Sequence, residues 1–240
     1  MIRFQMLGPV DLRDAEGREV PLVLRRPKLL ALLVYLAVAR PPGFHRRDRL
    51  VALLWPELDH MHARNALRQA MHALREALGH ELFLARGDED LAVNEKVLWC
   101  DVRELENALG AGDVEKSLTL HCGDLLGGLH LSGAPDFERW LEAEQEHIRR
   151  GVCEAARVVT DRAEAAGNAA VAARWAWRLM ELSPSDESAV RRLIGILDRA
   201  GDRAGAVRVY KGFERRLQRD LELEPSSMTQ ALVRGITARK

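Results

Sequence analysis

Six side chains between residues 64 and 75 could together read a polynucleotide: Arg64, Asn65, Arg68, Gln69, His72 and Arg75. A guanidinium can donate two parallel hydrogen bonds to O6 and N7 of guanine, and an Asn or Gln amide can pair in the same two-point way with N6 and N7 of adenine. That chemistry needs the groups on one surface. Wound as a helix at about 100° per residue, Met61–Leu78 puts all six on one side. Ala63, Leu67, Ala70, Met71, Leu74 and Leu78 fall on the other. No carboxylate interrupts the polar side before Glu76. Many amphipathic helices have a basic outer face, so the neighbouring elements must decide.

Those neighbours have the pattern of a DNA-reading unit. A short helix is expected at about Arg46–Leu54, with Leu50, Leu53 and Leu54 inward and Arg46, Arg47 and Arg49 at or near its first turn. Cations there oppose the helix dipole, but they and the turn's N–H groups are well placed to meet phosphates. Trp55–Asp59 is the turn between the two helices, Asp59 a candidate cap for the second, and Gly79 its stop. Leu82 and Leu84, then Leu91 and Val93, read as strands around Gly87-Asp88-Glu89-Asp90, and Val97 and Trp99 extend that pattern into a hairpin, or wing.

Further upstream, Ile2, Phe4 and Met6 alternate with polar residues, as do Val10 and Leu12, then Val20, Leu22 and Leu24. With turns at Gly8-Pro9 and Asp14–Gly17 this predicts a small antiparallel sheet. Pro27 suits the first turn of a helix, where its missing N–H costs nothing. Leu29–Arg40 is apolar nearly all round, so that helix should be central, with Pro41-Pro42-Gly43 as its stop. Arg25-Arg26-Pro27-Lys28 ahead of this run has the outline of a signal peptide. It lies too deep in the chain for one, and about eleven apolar residues are too few to span a bilayer.

The 240 residues leave room for two domains, and the formal net charge is zero. Charge distribution is more telling: Arg25 to Arg75 holds ten Lys/Arg against Asp48, Glu57 and Asp59. A local basic patch, rather than total charge, sets an electrostatic footprint on DNA. Cys100, Cys122 and Cys153 form no CxxC pair, which argues against a zinc site or a disulfide framework and fits a reducing cytoplasm. No Gly-rich phosphate loop, HExxH or GxSxG is present. His60 and His62 point about 200° apart on a helix and cannot share an ion. Cys122 beside His121 lacks an orienting third group. No catalytic residue, metal or cofactor is implied, and no membrane segment.

From Asp101 onward strand signals vanish. Short helices are expected at Asp101–Leu109 and Asp113–Leu120, a glycine-rich loop over Gly123–Pro135, and a long helix from Asp136 to about Ala166. Four more follow at Ala169–Leu182, Ser185–Ala200, Arg203–Leu217 and Ser226–Ala238. Ala166-Gly167-Asn168 recurs 34 residues later as Ala200-Gly201-Asp202, and Ala172 recurs as Ala206. Thirty-four is the tetratricopeptide period, read physically as stacked helix pairs with a groove for a partner.

Six stretches in order carry a resemblance over nearly the whole chain: Leu7-Gly8-Pro9; Arg47-Asp48-Arg49-Leu50-Val51 to Leu54-Trp55-Pro56; Ala63-Arg64-Asn65-Ala66-Leu67 to Leu74-Arg75-Glu76-Ala77-Leu78; Gly123-Asp124-Leu125-Leu126; Ala134-Pro135-Asp136-Phe137-Glu138-Arg139-Trp140-Leu141; and Asp202-Arg203-Ala204-Gly205-Ala206. Residues 1–100 resemble an OmpR-type winged helix-turn-helix, and 101–240 a bacterial transcriptional activation domain. Together they resemble the antibiotic regulatory protein family of transcriptional activators. The resemblance implies a mainly α fold: an α+β winged helix, then an all-α tetratricopeptide-like domain. It implies a cytoplasmic activator that binds promoter repeats in double-stranded DNA and recruits RNA polymerase.

Carried over position by position, Arg64, Asn65, Arg68, Gln69, His72 and Arg75 match the groove-facing residues. Trp55, Glu57, Leu58 and Asp59 match the turn that touches polymerase. Arg46, Arg47 and Arg49, and at the wing Arg86 and Lys96, are the phosphate candidates. The chain departs from the family where Ser or Thr often caps the second helix and His45 stands here, and where the wing tip is Asp88-Glu89-Asp90. That acidic tip keeps an alternative open, a protein- or ligand-binding sensor module whose working surface is the helical half. A homodimer on repeated sites also stays open. The ending Thr237-Ala238-Arg239-Lys240, directly after the last family helix, would suit a fragment of a longer regulator.

Overall fold

A computed structural model describes residues 1–239; Lys240, in the C-terminal stretch noted above, lies outside the described residues. The chain forms two compact units, Met1–Ile148 and Arg149–Lys240. The change from strand-bearing to all-helical sequence falls at 100/101, but the spatial division falls within the long helix that spans residue 148.

In the first unit β1 (Ile2–Gln5) pairs antiparallel with β2 (Asp11–Arg13), Phe4 opposite Leu12. The third strand expected at Val20–Leu24 is instead a four-residue helix, α1 (Pro21–Leu24). Glu19 bridges Arg13, and the Val20 amide donates to the Leu12 carbonyl. Pro21 then has no N–H to extend the ladder and sits at the first helical position. α2 (Pro27–Val38) follows. Every residue from Leu29 to Val38 is buried, so it is the central helix, ending before the Pro-Pro-Gly segment.

A second sheet has the order β3-β5-β4: β3 (His45–Arg46), β5 (Asp90–Val93) and β4 (Phe83–Arg86). β4 and β5 form the expected hairpin, Arg86 opposite Asp90. Trp99 does not extend it. Its strand β6 (Leu98–Cys100) joins the other sheet, parallel to β1, and Val97 lies in the preceding turn. Between β3 and β4 the chain runs through α3 (Arg47–Leu54) and α4 (His60–Leu78), with a 3₁₀ turn at His80–Leu82. In α3, Leu50, Val51 and Leu54 are buried and Leu53 only partly. α5 (Asp101–Gly110), α6 (Val114–Leu120) and the first part of α7 (Pro135–Ala165) complete this unit.

Asp101 knots the unit together. Its buried carboxylate accepts from the Met6 and Leu7 amides at 2.8 and 2.9 Å, which ties the end of β1 to the start of α5.

The second unit holds the rest of α7 with α8 (Ala169–Leu182), α9 (Glu187–Arg199), α10 (Arg203–Leu221) and α11 (Ser227–Ala238). The 34-residue repeat holds at the level of single hydrogen bonds. Asn168 N donates to Ala163 O as Asp202 N does to Leu197 O, at 2.8 and 2.9 Å. Asn168 and Asp202 cap α8 and α10 through the Val171 and Gly205 amides. Ala172 and Ala206 are fully buried, so these helices sit close against their neighbours. No described helix is long and apolar enough to cross a membrane.

Candidate nucleic-acid interface

Helix α4 has a rotation about its axis fixed by burial. Ala63, Leu67, Ala70, Met71, Leu74 and Leu78 are its buried residues, the face expected from the sequence. Truncating a buried Leu such as Leu74 would cost about 2–5 kcal/mol, so turning this face outward is prohibitive. Asp59 fixes where the helix starts: its Oδ1 accepts from the Met61 and His62 amides, both at 3.0 Å. Those bonds, with the His62 ring, hold its carboxyl below the usual range. Gly79 closes the helix at φ +104°.

The opposite face is exposed over Arg64, Asn65, Arg68, Gln69 and His72. Among the described residues, Asn65, Arg68, Gln69 and His72 have no side-chain hydrogen bond or ion pair, so their donors and acceptors are available. Arg64 is held differently. Its Nε and Nη2 both donate to Asp48 Oδ1 on α3, at 3.1 and 2.8 Å. The bond to Arg64 lowers the Asp48 carboxyl and raises the guanidinium. Arg75 is half-buried, 5.7 Å over the Phe83 ring.

The expected phosphate contacts divide. Arg46 pairs with Glu89 of the wing tip at 3.2 Å, both side chains well exposed, a weak surface pair that leaves the guanidinium open to solvent. Arg47 is partly buried, its Nε without a partner, and Arg49 is exposed. Arg86 stacks 4.2 Å over Phe44. Lys96 lies by the other end of α4, in a hollow with Leu78, Gly79 and His80.

In the turn, Trp55 is buried at 6% exposure with Lys28 above its ring, and Lys28 also pairs with Glu57. Of the four residues assigned there to polymerase contact, Trp55 therefore serves the core, Asp59 caps α4, and Leu58 is the exposed apolar one, at 39%.

His45 does not cap α3; Arg46 stands at that position without a side-chain cap. His45 lies in β3, buried edge-on against Tyr35 at 5.2 Å. Burial, then the charges of Arg49 and Arg103, push its pKa below 6.5. Below pH 6.5 the unfolded chain takes up a proton that the folded ring refuses, so stability falls as pH drops from there towards the folded value. A denaturant midpoint compared at pH 7.5 and pH 5.5 should fall in the wild type and fall less in His45→Phe. Equal falls would remove His45 as the cause.

A match to the bacterial transcriptional activator domain family covers residues 100–237, more than half of the chain. The chain belongs to that family. A winged helix precedes the matched region, the arrangement that the resemblance to the antibiotic regulatory protein family implied. The chain's fold is similar to that of Mycobacterium tuberculosis EmbR, solved in complex with a low-affinity phosphopeptide: the TM-score is 0.64 at 22% identity, over 100% of this chain and 65% of that one. The chain thus spans just under two thirds of EmbR's length. No curated protein matches.

Three features of this surface are not marked by local sequence pattern. Met61 is 76% exposed at the start of α4, on the side of Arg68. Asp48 organises Arg64 from another helix, a pairing that only tertiary structure creates. Arg25, Arg26 and Lys28 lie beside Gln69, in a hollow lined also by Ala66 and Ala73. The charge count that begins at Arg25 was the available signal for these last three.

Proposed function

We propose that this activator lays α4 in the major groove of promoter DNA and reads bases with Arg64, Asn65, Arg68, Gln69 and His72. The observation that carries the reading is that Asn65, Arg68, Gln69 and His72, exposed and without side-chain partners among the described residues, flank the Asp48-held Arg64 on a helix whose opposite face is locked in the core. Arg46 and Arg49, at the start of α3, meet the phosphate backbone, and the turn ending in Leu58 and Asp59 faces RNA polymerase. Two copies on neighbouring repeats would account for a direct-repeat operator.

Selection from a pool of random duplex DNA tests this, followed by salt titration of the enriched sequences. The expected outcome is one enriched motif, repeated at a fixed spacing, with log K falling by about 0.9 per phosphate contact for each unit of log salt. Arg46→Ala should weaken all duplexes alike and lower that slope by about one. No enrichment by the intact chain would discard the reading.

A second surface is favoured by one observation. Trp177 on α8 is 40% exposed, and aromatic rings are enriched at protein interfaces. A protein or ligand partner on the helical unit is the reading it supports, and Trp177→Ala should lose that partner with DNA binding intact.

A further inference from the structure

We infer that Arg25 and Arg26 form a second phosphate grip, on the DNA strand opposite the one met by α3. The inference rests on α4 being the groove-reading helix and adds the far wall of the groove. With Arg64 taken as zero and about 100° per residue, Arg68, His72 and Asn65 lie between roughly 40° and 100°, and Gln69, Ala73 and Ala66 between roughly 140° and 200°. The first flank is that of α3, since Arg64 bonds to Asp48 there. The second is that of the α1–α2 junction, since Gln69, Ala66 and Ala73 share a hollow with Arg25, Arg26 and Lys28. The base-reading side chains lie between two cationic flanks.

The major groove is about 12 Å wide, and a helix with its side chains is about 10–12 Å across. A helix filling the groove therefore brings one sugar-phosphate wall to each flank. On the α3 side that wall meets Arg46 and Arg49. On the other side the residues in place to meet it are Arg25 and Arg26.

Their surroundings fit an anion. The hollow is lined by three cations and no carboxylate. Lys28 is engaged by Glu57. Arg25 and Arg26 are exposed, and no ion pair or hydrogen bond involves their side chains among the described residues. Both precede the first turn of α2, Arg26 as its N-cap. Cations there are unfavourable to the isolated helix, and a bound phosphate reverses that sign.

The test uses the full chain, its selected duplex and a scrambled duplex, with Arg25→Ala/Arg26→Ala and Arg68→Ala side by side. The double variant should lower the salt slope by about 1.8, at about 0.9 per contact, and weaken both duplexes alike, roughly tenfold or more. Neutral methylphosphonates placed singly along each strand should weaken the wild type at a position on the strand opposite the Arg46 contact. The double variant should be indifferent there. An unchanged slope, while Arg68→Ala still loses sequence preference, overturns this grip and leaves α4 as the reader. Unchanged DNA binding with lost transcription activation would instead give the hollow to polymerase, and overturns it too. If Arg68→Ala leaves preference intact, it is the groove reading that falls.

Discussion

Arg68→Ala should bind the selected duplex about 1–3 kcal/mol more weakly, roughly 5- to 150-fold, and change little on scrambled DNA. Arg68 is exposed, without an internal partner among the described residues, and near the middle of the polar face, so nothing in the fold competes for it. Removing it leaves the core face of α4 untouched. The loss should appear at one base pair, where the variant tolerates substitutions that the wild type rejects.

Arg64 gives a sharper version of the same test. Asp48 holds it from the Nε side through one carboxylate oxygen. The two outer N–H groups at the end of the guanidinium keep the fork that guanine O6 and N7 require. Asp48 is therefore a positioning residue. Asp48→Ala should relax discrimination at the base Arg64 reads and raise affinity for scrambled DNA, because a carboxylate leaves the phosphate-facing surface. Competition binding against single-base variants measures both. Equal losses on every sequence would show that Asp48 and Arg64 act only on the backbone.

Local patterns in the sequence carried far. The six buried residues of α4, its Asp59 cap and its Gly79 stop depend on spacing within one helix, and the chain displays that spacing directly. The repeat was legible for the same reason: Asn168 and Asp202 each act within a few residues of themselves. What escaped depends on distant partners. Leu98–Cys100 looked like a continuation of the wing, but its apolar alternation suits either sheet, and only its parallel pairing with β1 decides. Trp55 sits in a turn that the family pattern gives to polymerase, yet burial under Lys28 keeps it in the core. Val20–Leu24 alternated convincingly until Pro21 removed the N–H a third strand needs.

Gly123→Ala should be the most damaging single-methyl change in the first unit, at about 1–3 kcal/mol, the range for overpacking a tight site. A Cβ at Gly123 would lie 2.9 Å from Gly8 Cα, which is backbone and cannot swing aside. Gly8 in turn has φ +108°, and its own Cβ would lie 3.3 Å from the Cys122 carbonyl carbon. The two strands of chain are held at this distance from both ends. Leu7 bridges Leu125, Leu126 N donates to Met6 O at 2.9 Å, and Gly8 N to Asp124 O at 3.3 Å. On the other side Asp101 anchors the Met6 and Leu7 amides. This contact makes Leu7-Gly8-Pro9 and Gly123-Asp124-Leu125-Leu126, far apart in the chain, one structural unit: each is the surface the other needs. Gly212, inside α10 with nothing within 4 Å of its missing Cβ, supplies the opposite case. Gly212→Ala should stabilise by about 0.5–1 kcal/mol, since alanine loses less backbone entropy in a helix. Denaturant unfolding of the two variants, with amide exchange at Leu126, separates close approach from glycine entropy. Stability within a few tenths of a kcal/mol of wild type for Gly123→Ala would mean that the two segments part without cost, and that the first unit is held by Asp101 and the α2 core alone.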